Sequence, residues 1–281
     1  MMNREQLIDQ IITLAFEEDV AAGDITTNAL IPENSRAVAT LTMKANGIVS
    51  GLEIAGKVFS RLDKDIICTP YVKEGEKVSQ GDVILKVEGN FRALLTAERT
   101  VLNILQRMSG IATATALYVK ETEGTQTHLL DTRKTAPGMR ILDKMAVKAG
   151  GGTNHRMGLY DLALIKDNHI KVAGSITRAV QQVRDYITPG VRIEVETTCI
   201  EEVKEALTSG ADIIMLDNMS TSLMAEAVRL VDKKAKTEAS GNMTLGRIRE
   251  VATTGVDYIS VGALTHSVTA LDISMNIQTG L

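Results

Sequence analysis

The sequence predicts an α/β protein in two parts, a small α/β domain followed by a parallel βα barrel or partial barrel. Three observations carry this. From residue 128 on, short apolar runs alternate with longer amphipathic ones, the pattern of βα units on a parallel sheet. At least six such units follow one another, which favours a closed or nearly closed sheet over an open one. Before residue 107 the grammar differs, with period-two alternation around glycine turns.

In chain order, residues 1–19 (Leu7, Ile8, Ile11, Ile12, Leu14) read as an acidic amphipathic helix rather than a signal peptide, which needs a basic start and an unbroken apolar run. Residues 37–43 and 47–50 read as strands and 52–62 as a helix. Residues 71–87 alternate around two glycine-bearing turns and are expected to form a hairpin. Residues 94–108 and 111–119 read as two helices joined at Ser109-Gly110. The barrel strands are 128–131, 162–165, 192–195, 212–216, 237–239 and 258–261, with amphipathic segments at 175–186, 200–207, 222–231 and 245–252.

Composition narrows the function. A net charge of −4, 3% aromatic residues and no Trp argue against a nucleic-acid surface of basic patches and stacking rings. Two cysteines are too few for a disulfide framework and point to a reducing compartment. No apolar run approaches the roughly 20 residues that span a bilayer. A soluble, cytoplasmic protein is expected, with no nucleic-acid or membrane partner.

The C-terminal ends of parallel barrel strands converge on one face, where barrel active sites sit. Here they carry Arg133 and Lys134, then Lys166, Glu196, Asp217-Asn218, Ser240-Gly241-Asn242 and Gly262-Ala263, and the segment 150–156 adds His155 and Arg156. The early ends are cationic, suited to carboxylate or phosphate. The last two turns suit a phosphate, which backbone N–H groups can cradle where no side chain intervenes. Glu196 and Asp217 beside a phosphate suggest Mg²⁺ and a hydroxylated sugar, since Mg²⁺ takes few protein carboxylates and fills its shell with water and phosphate oxygens. Either acid could instead only neutralise a nearby lysine. His155 reads as a donor to substrate, and His169 as an orienting or helix-start residue. No His/Cys cluster has zinc spacing.

With these residues in hand, the chain resembles the quinolinate phosphoribosyltransferase family nearly end to end. The marks are Gly23-Asp-Ile-Thr26, Gly47-Ile-Val-Ser-Gly51, Ala97-Glu-Arg-Thr100, Ser109-Gly-Ile-Ala-Thr113, Asp131-Thr-Arg-Lys-Thr135, Asn154-His-Arg156, Leu164-Ile-Lys-Asp-Asn-His169, Glu194-Val-Glu196, Asp217-Asn218 and Val261-Gly-Ala-Leu-Thr-His-Ser267. The resemblance implies an N-terminal α/β sandwich (1–110, joined by 270–281) and an incomplete, TIM-like barrel (111–269). It also implies a homodimer in which Arg99 reaches the partner's site. On its own, Arg99 reads as a solvated helix residue.

The implied reaction joins quinolinate to phosphoribosyl diphosphate and releases CO₂, diphosphate and nicotinate mononucleotide, in NAD biosynthesis. The resemblance places Arg99 of the partner subunit, Arg133, His155, Arg156 and Lys166 at quinolinate, with Lys134 at the substrate or the sugar-phosphate donor. It places Glu196 and Asp217 at the ribose and Mg²⁺, and Ser240, Gly241, Asn242, Gly262 and Ala263 at the phosphate, with Thr132 and Val261 as further substrate-binding residues. Asn242 departs from the second glycine common in the family. Two rival readings are weaker. Residues 213–222 resemble the donor loop of open-sheet phosphoribosyltransferases, but Asn218 replaces their second acid. Residues 72–87 resemble biotinyl or lipoyl carriers, but Lys44 lacks the hairpin-tip setting. Relatives acting on nicotinate, or associated with molybdate transport, share the scaffold.

Overall fold

The computed structural model describes residues 2–278. The elements in order are α1 (Arg4–Asp19), α2 (Ile25–Leu30), β1 (Arg36–Met43), β2 (Gly47–Ile48), α3 (Leu52–Leu62), β3 (Ile67–Pro70), β4 (Lys77–Val78), β5 (Val83–Asn90) and α4 (Phe91–Lys120). There follow β6 (His128–Leu130), α5 (Arg140–Ala149), β7 (Ala163–Ile165), α6 (Asp167–Ala173), α7 (Ile176–Tyr186), β8 (Ile193–Thr197), α8 (Ile200–Thr208) and β9 (Ile213–Asp217). The chain continues with α9 (Thr221–Val231), β10 (Lys236–Ser240), α10 (Leu245–Ala252), β11 (Tyr258–Ser260), α11 (Ala263–His266) and β12 (Ile273–Gln278). Two compact units emerge. One holds the chain up to Ala116, Thr135–Gly151 and the stretch from Ser267; the other holds Leu117–Lys134 and Gly152–His266. Thr135–Gly151 therefore groups with the first unit, whereas the expected barrel runs unbroken from 111.

The first unit is built on an antiparallel sheet of order β12-β1-β5-β3. Strand β1 alternates strictly and turns Ala37, Ala39, Leu41 and Met43 into the core. Helix α3 contributes Ile54, Ala55, Val58 and Phe59. Its first N–H groups are capped from a distance: Glu74 accepts from Gly51 N–H at 2.7 Å, Leu52 N–H at 3.1 Å and the Ser50 hydroxyl at 2.6 Å. At the chain's start, Asn3 and Gln6 cap α1 reciprocally.

Two expectations fail in this unit. Residues 71–87 do not close on themselves as a hairpin, although the Tyr71 N–H reaches Ile84 O at 3.0 Å; β4 pairs with β2 and β5 with β1 and β3. Residues 94–119 are not two helices but part of one 30-residue helix that runs through Ser109-Gly110. Gly110 is there for close packing, because a Cβ would collide with the Thr269 carbonyl.

The second unit carries six parallel strands in the order β6-β11-β10-β9-β8-β7, with amphipathic helices between them in sequence. The α/β class and the parallel sheet are as expected. Thr153 bridges Leu130 in parallel, so the 152–156 segment runs on the free side of β6. Among the described residues no ladder joins β6 to β7, which leaves the barrel incomplete. Strands β8 and β9 are buried over nearly their whole length, as strands in a parallel sheet are.

Candidate functional site

Because all six strands run the same way, their C-terminal ends share one edge. Thr132, Arg133 and Lys134 follow β6, Lys166 follows β7, and Glu196 lies near the end of β8. Asp217 ends β9, Ser240 ends β10 with Gly241 and Asn242 behind it, and Gly262 and Ala263 follow β11. Every predicted site residue except Arg99 falls in this unit. Arg99 is exposed on α4 in the other.

The cationic side is packed rather than splayed. Arg156 is half-buried, and its Nη1 donates to Leu162 O at 3.1 Å. Burial and the nearby charge of Arg133 both push its pKa down. Two guanidiniums held close enough to repel each other are a ready receptor for a dianion. Lys134 is exposed, but its backbone is fixed: its N–H donates to Thr132 Oγ1 at 3.1 Å, and its carbonyl accepts from Thr265 Oγ1 at 2.9 Å. The absent side chain of Gly262 makes room for the Lys134 stem, since a Cβ there would stand 3.0 Å from Lys134 Cδ.

Lys166 Nζ pairs directly with Glu196 Oε2, so the neutralising role that the sequence left open for Glu196 exists in this state. His169 is a helix-start residue: its Nδ1 accepts the Lys166 N–H at 3.0 Å at the head of α6.

On the acidic side two turns lock together, those after β9 and β10. Asn218 N–H donates to Ser240 O at 3.0 Å, Asn218 Nδ2 to Asp217 Oδ2 at 2.8 Å, and Asn242 Nδ2 to Asn218 Oδ1 at 3.1 Å. Arg247 ties the turns from behind, donating to Met219 O at 2.8 Å and Gly241 O at 3.3 Å. Asn218 and Asn242 have φ of +54° and +50°, in the left-handed region that Asn tolerates better than most residues. That conformation explains why glycine and asparagine can both serve at position 242. Val261 is different. Its side chain is buried and its N–H donates to Leu130 O, so it has no N–H to offer a phosphate.

Beneath the mouth lies a cluster that the sequence reading missed. Glu194 and Glu238 are each 0% exposed. His155 Nε2 stands 3.0 Å from Glu194 Oε2 and 3.3 Å from Glu238 Oε2. A cavity of about 170 Å³ adjoins them, lined in part by His155, Arg156 and Glu238. Burial disfavours a charged imidazole, but donation from its ring to both carboxylates and their charge outweigh it and push His155 up to about 10. Burial and the charge of Glu238 push Glu194 up as well, to about 7. The two shifts compete for one proton, and geometry decides between them. Nδ1 accepts the Arg156 N–H at 2.7 Å, which a protonated Nδ1 cannot do. The geometry therefore decides against a charged imidazole: the ring keeps one proton, on Nε2, and the second proton lies on the carboxylate pair. Both ring nitrogens of His155 are thus engaged within the protein, and a donor role toward substrate would require Nε2 to leave a carboxylate. A signal for the cluster exists in the sequence: Glu194 and Glu196 share one face of a strand buried on both sides.

A parallel barrel whose strand ends oppose cations to carboxylates and glycine turns is the frame of an enzyme that takes anionic substrates. Comparison with known proteins agrees. Residues 24–109 match the quinolinate phosphoribosyl transferase N-terminal domain, and residues 111–276 its C-terminal domain. A probable nicotinate-nucleotide pyrophosphorylase (carboxylating) of Bacillus subtilis (strain 168) is 44% identical over 276 residues, covering 98% of this chain and 95% of its own. Quinolinate phosphoribosyltransferase (decarboxylating) 2, mitochondrial, of Nicotiana glauca is 44% identical over 293 residues, covering 98% and 83%. The crystal structure of NadC from Streptococcus pyogenes matches with a TM-score of 0.94 at 38% identity, over 99% of this chain and 98% of that one. The chain belongs to the quinolinate phosphoribosyltransferase (decarboxylating) family, a phosphoribosyltransferase family of NAD biosynthesis.

Proposed function

We propose that this strand-end edge binds quinolinate on its cationic side and phosphoribosyl diphosphate on its acidic and glycine-bearing side, and joins them with loss of CO₂. The observation that carries the reading is the division of one edge into Arg133, Lys134, Arg156 and Lys166 against Glu196, Asp217 and the Gly241 and Gly262 turns.

Quinolinate has two adjacent carboxylates, and Arg133, Arg156 and Lys166 supply the opposing cations, with Thr132 beside them. Arrival of that dianion would compete with Glu196 for Lys166. The Ser240–Gly241–Asn242 turn and the Gly262–Ala263 turn hold the 5′-phosphate, and Lys134, whose stem lies against Gly262, contacts the sugar-phosphate donor. As diphosphate leaves, C1 gains oxocarbenium character, which Glu196 and Asp217 stabilise near the ribose hydroxyls. The ribosylated ring nitrogen then carries positive charge and stabilises the electron pair left on C2 when the adjacent carboxylate departs as CO₂, and a proton from water on C2 completes nicotinate mononucleotide.

Glu196 and Asp217, at the ends of neighbouring strands, suit Mg²⁺, which needs only one or two protein carboxylates. When bound there, Mg²⁺ would neutralise diphosphate charge. Binding and charge placement dominate, with no covalent enzyme intermediate. The exposure of Arg99 fits a homodimer in which it completes the partner's site. We place the enzyme in the cytoplasm; among the described residues no helix is long and apolar enough to cross a membrane, and both cysteines are free thiols.

The test is to supply the protein with Mg²⁺, phosphoribosyl diphosphate and either quinolinate or nicotinate. Nicotinate mononucleotide and CO₂ from quinolinate alone are expected. Turnover of neither acid, or of nicotinate only, would sink the reading.

A further inference from the structure

Glu194 and Glu238 have no part in the reaction outlined above, yet they lie in the wall beneath it. Side chains alternate along a strand, so Glu194 shares a face with Glu196, and Glu238 shares one with Ser240. The buried pair is thus one step deeper than the two residues assigned to the ribose and phosphate. Two carboxylates buried side by side are unfavourable unless compensated, and apolar residues would fill the same space at less cost.

Their shared neighbour suggests what they do. His155 is gripped at three points: Nε2 by the two carboxylates, Nδ1 by the Arg156 N–H at 2.7 Å, and its own N–H by Asp131 Oδ1 at 2.8 Å. The next residue is Arg156, whose guanidinium stands near Arg133 against electrostatic repulsion. A short segment that must hold one cation close to another needs a rigid base.

We propose that Glu194 and Glu238 are positioning residues for quinolinate recognition, clamping the His155 ring through Nε2 so that the 155–156 turn presents Arg156 to the substrate carboxylates. This rests on the quinolinate reading of the mouth. His155 then acts as a strut, with one tautomer: a proton on Nε2, directed inward, and a bare Nδ1. Neither glutamate touches substrate.

Three measurements test the clamp. In the full-length enzyme, Glu194→Gln and Glu238→Gln keep side-chain volume and remove charge. Each should raise KM for quinolinate by roughly tenfold or more, the scale of a lost charged hydrogen bond. KM for phosphoribosyl diphosphate should barely move. Quinolinate KM unchanged in folded variants overturns the proposal, as does an equal rise in both KM values. The second measurement needs no glutamate variant. Long-range ¹H–¹⁵N NMR of the wild-type enzyme has only four histidines to resolve, with His155 assigned by its loss in His155→Gln. A proton on Nε2 alone is expected; a protonated Nδ1 overturns the clamp even if the glutamine variants do not fold. So does a stoichiometric metal ion that is bound in the Mg²⁺-free enzyme and lost in His155→Gln, since His155, Glu194 and Glu238 also offer ligand atoms within 4.8 Å of one another. If the wild-type enzyme ignores quinolinate, the reading of the mouth fails, while the NMR result still judges the clamp.

Discussion

Gly241 and Asn218 approach so closely that position 241 has no room for a side chain. A Cβ there would stand 2.9 Å from the Asn218 amide nitrogen and nearer still to its side-chain oxygen, and Gly241 has a φ of +87°. The β9 and β10 turns therefore interlock only if residue 241 is glycine. Gly241→Ala is expected to raise KM for phosphoribosyl diphosphate by about tenfold or more, from the strained backbone and the displaced turn. KM for quinolinate should stay near its wild-type value. Steady-state kinetics with each substrate varied in turn gives the answer.

Asn242 makes a contrasting case one residue on. Its φ of +50° suits glycine or asparagine but not a β-branched residue. Asn242→Gly should keep near-normal kinetics, losing only the bond to Asn218 Oδ1. Asn242→Val should lower thermal stability by about 1–3 kcal/mol equivalent and weaken donor binding. Equal behaviour of the two variants in melting and kinetic assays would contradict this.

Lys134 is exposed and lies over Gly262, with its backbone held on both sides. Lys134→Ala removes charge without touching the core. Turnover should fall by roughly 10²-fold or more, the scale of losing one preorganised electrostatic group. The melting temperature should hold. Near-normal turnover would remove Lys134 from the site.

Asp257 links the starts of β10 and β11, accepting from Lys236 Nζ at 2.6 Å and from Thr237 N–H at 2.9 Å. Partial burial would raise its carboxyl pKa, but these donors outweigh that and hold it below 3.8. A folded pKa below the unfolded one contributes stability that is present above the unfolded value and lost as pH falls through the folded value. Urea unfolding of wild type and Asp257→Asn should show a steady difference near neutral pH that shrinks below about pH 4. A difference that grows on acidification would reverse the sign.

The parallel sheet is legible in the sequence because each buried strand is a short apolar run and each helix an amphipathic one. The strand ends are legible for the same reason: a polar residue directly after such a run has few other places to be. What escapes is decided by contacts distant in sequence. Ser109-Gly110 looks like a break, and only Thr269 shows that Gly110 serves packing inside a continuous helix. The two glycine turns of 71–87 look like a hairpin, but β2 and β1 are the better partners for β4 and β5. Strand β3 is largely exposed, so it lacks the alternation that would reveal it. Glu194 and Glu238 hide because an acid in a strand ordinarily faces water, and only the two-sided burial of these strands shows that they cannot.

Recognition of a dicarboxylate by Arg133 and Arg156 is tested most directly by calorimetric titration of quinolinate into the wild-type enzyme, Arg133→Met and Arg156→Met. Each substitution is expected to weaken binding by roughly 100-fold, as when one partner of a desolvated charge pair is removed. Nicotinate, with one carboxylate, should bind the wild type weakly and lose less in either variant. Wild-type affinity for quinolinate in both variants would contradict the assignment of these cations to the substrate.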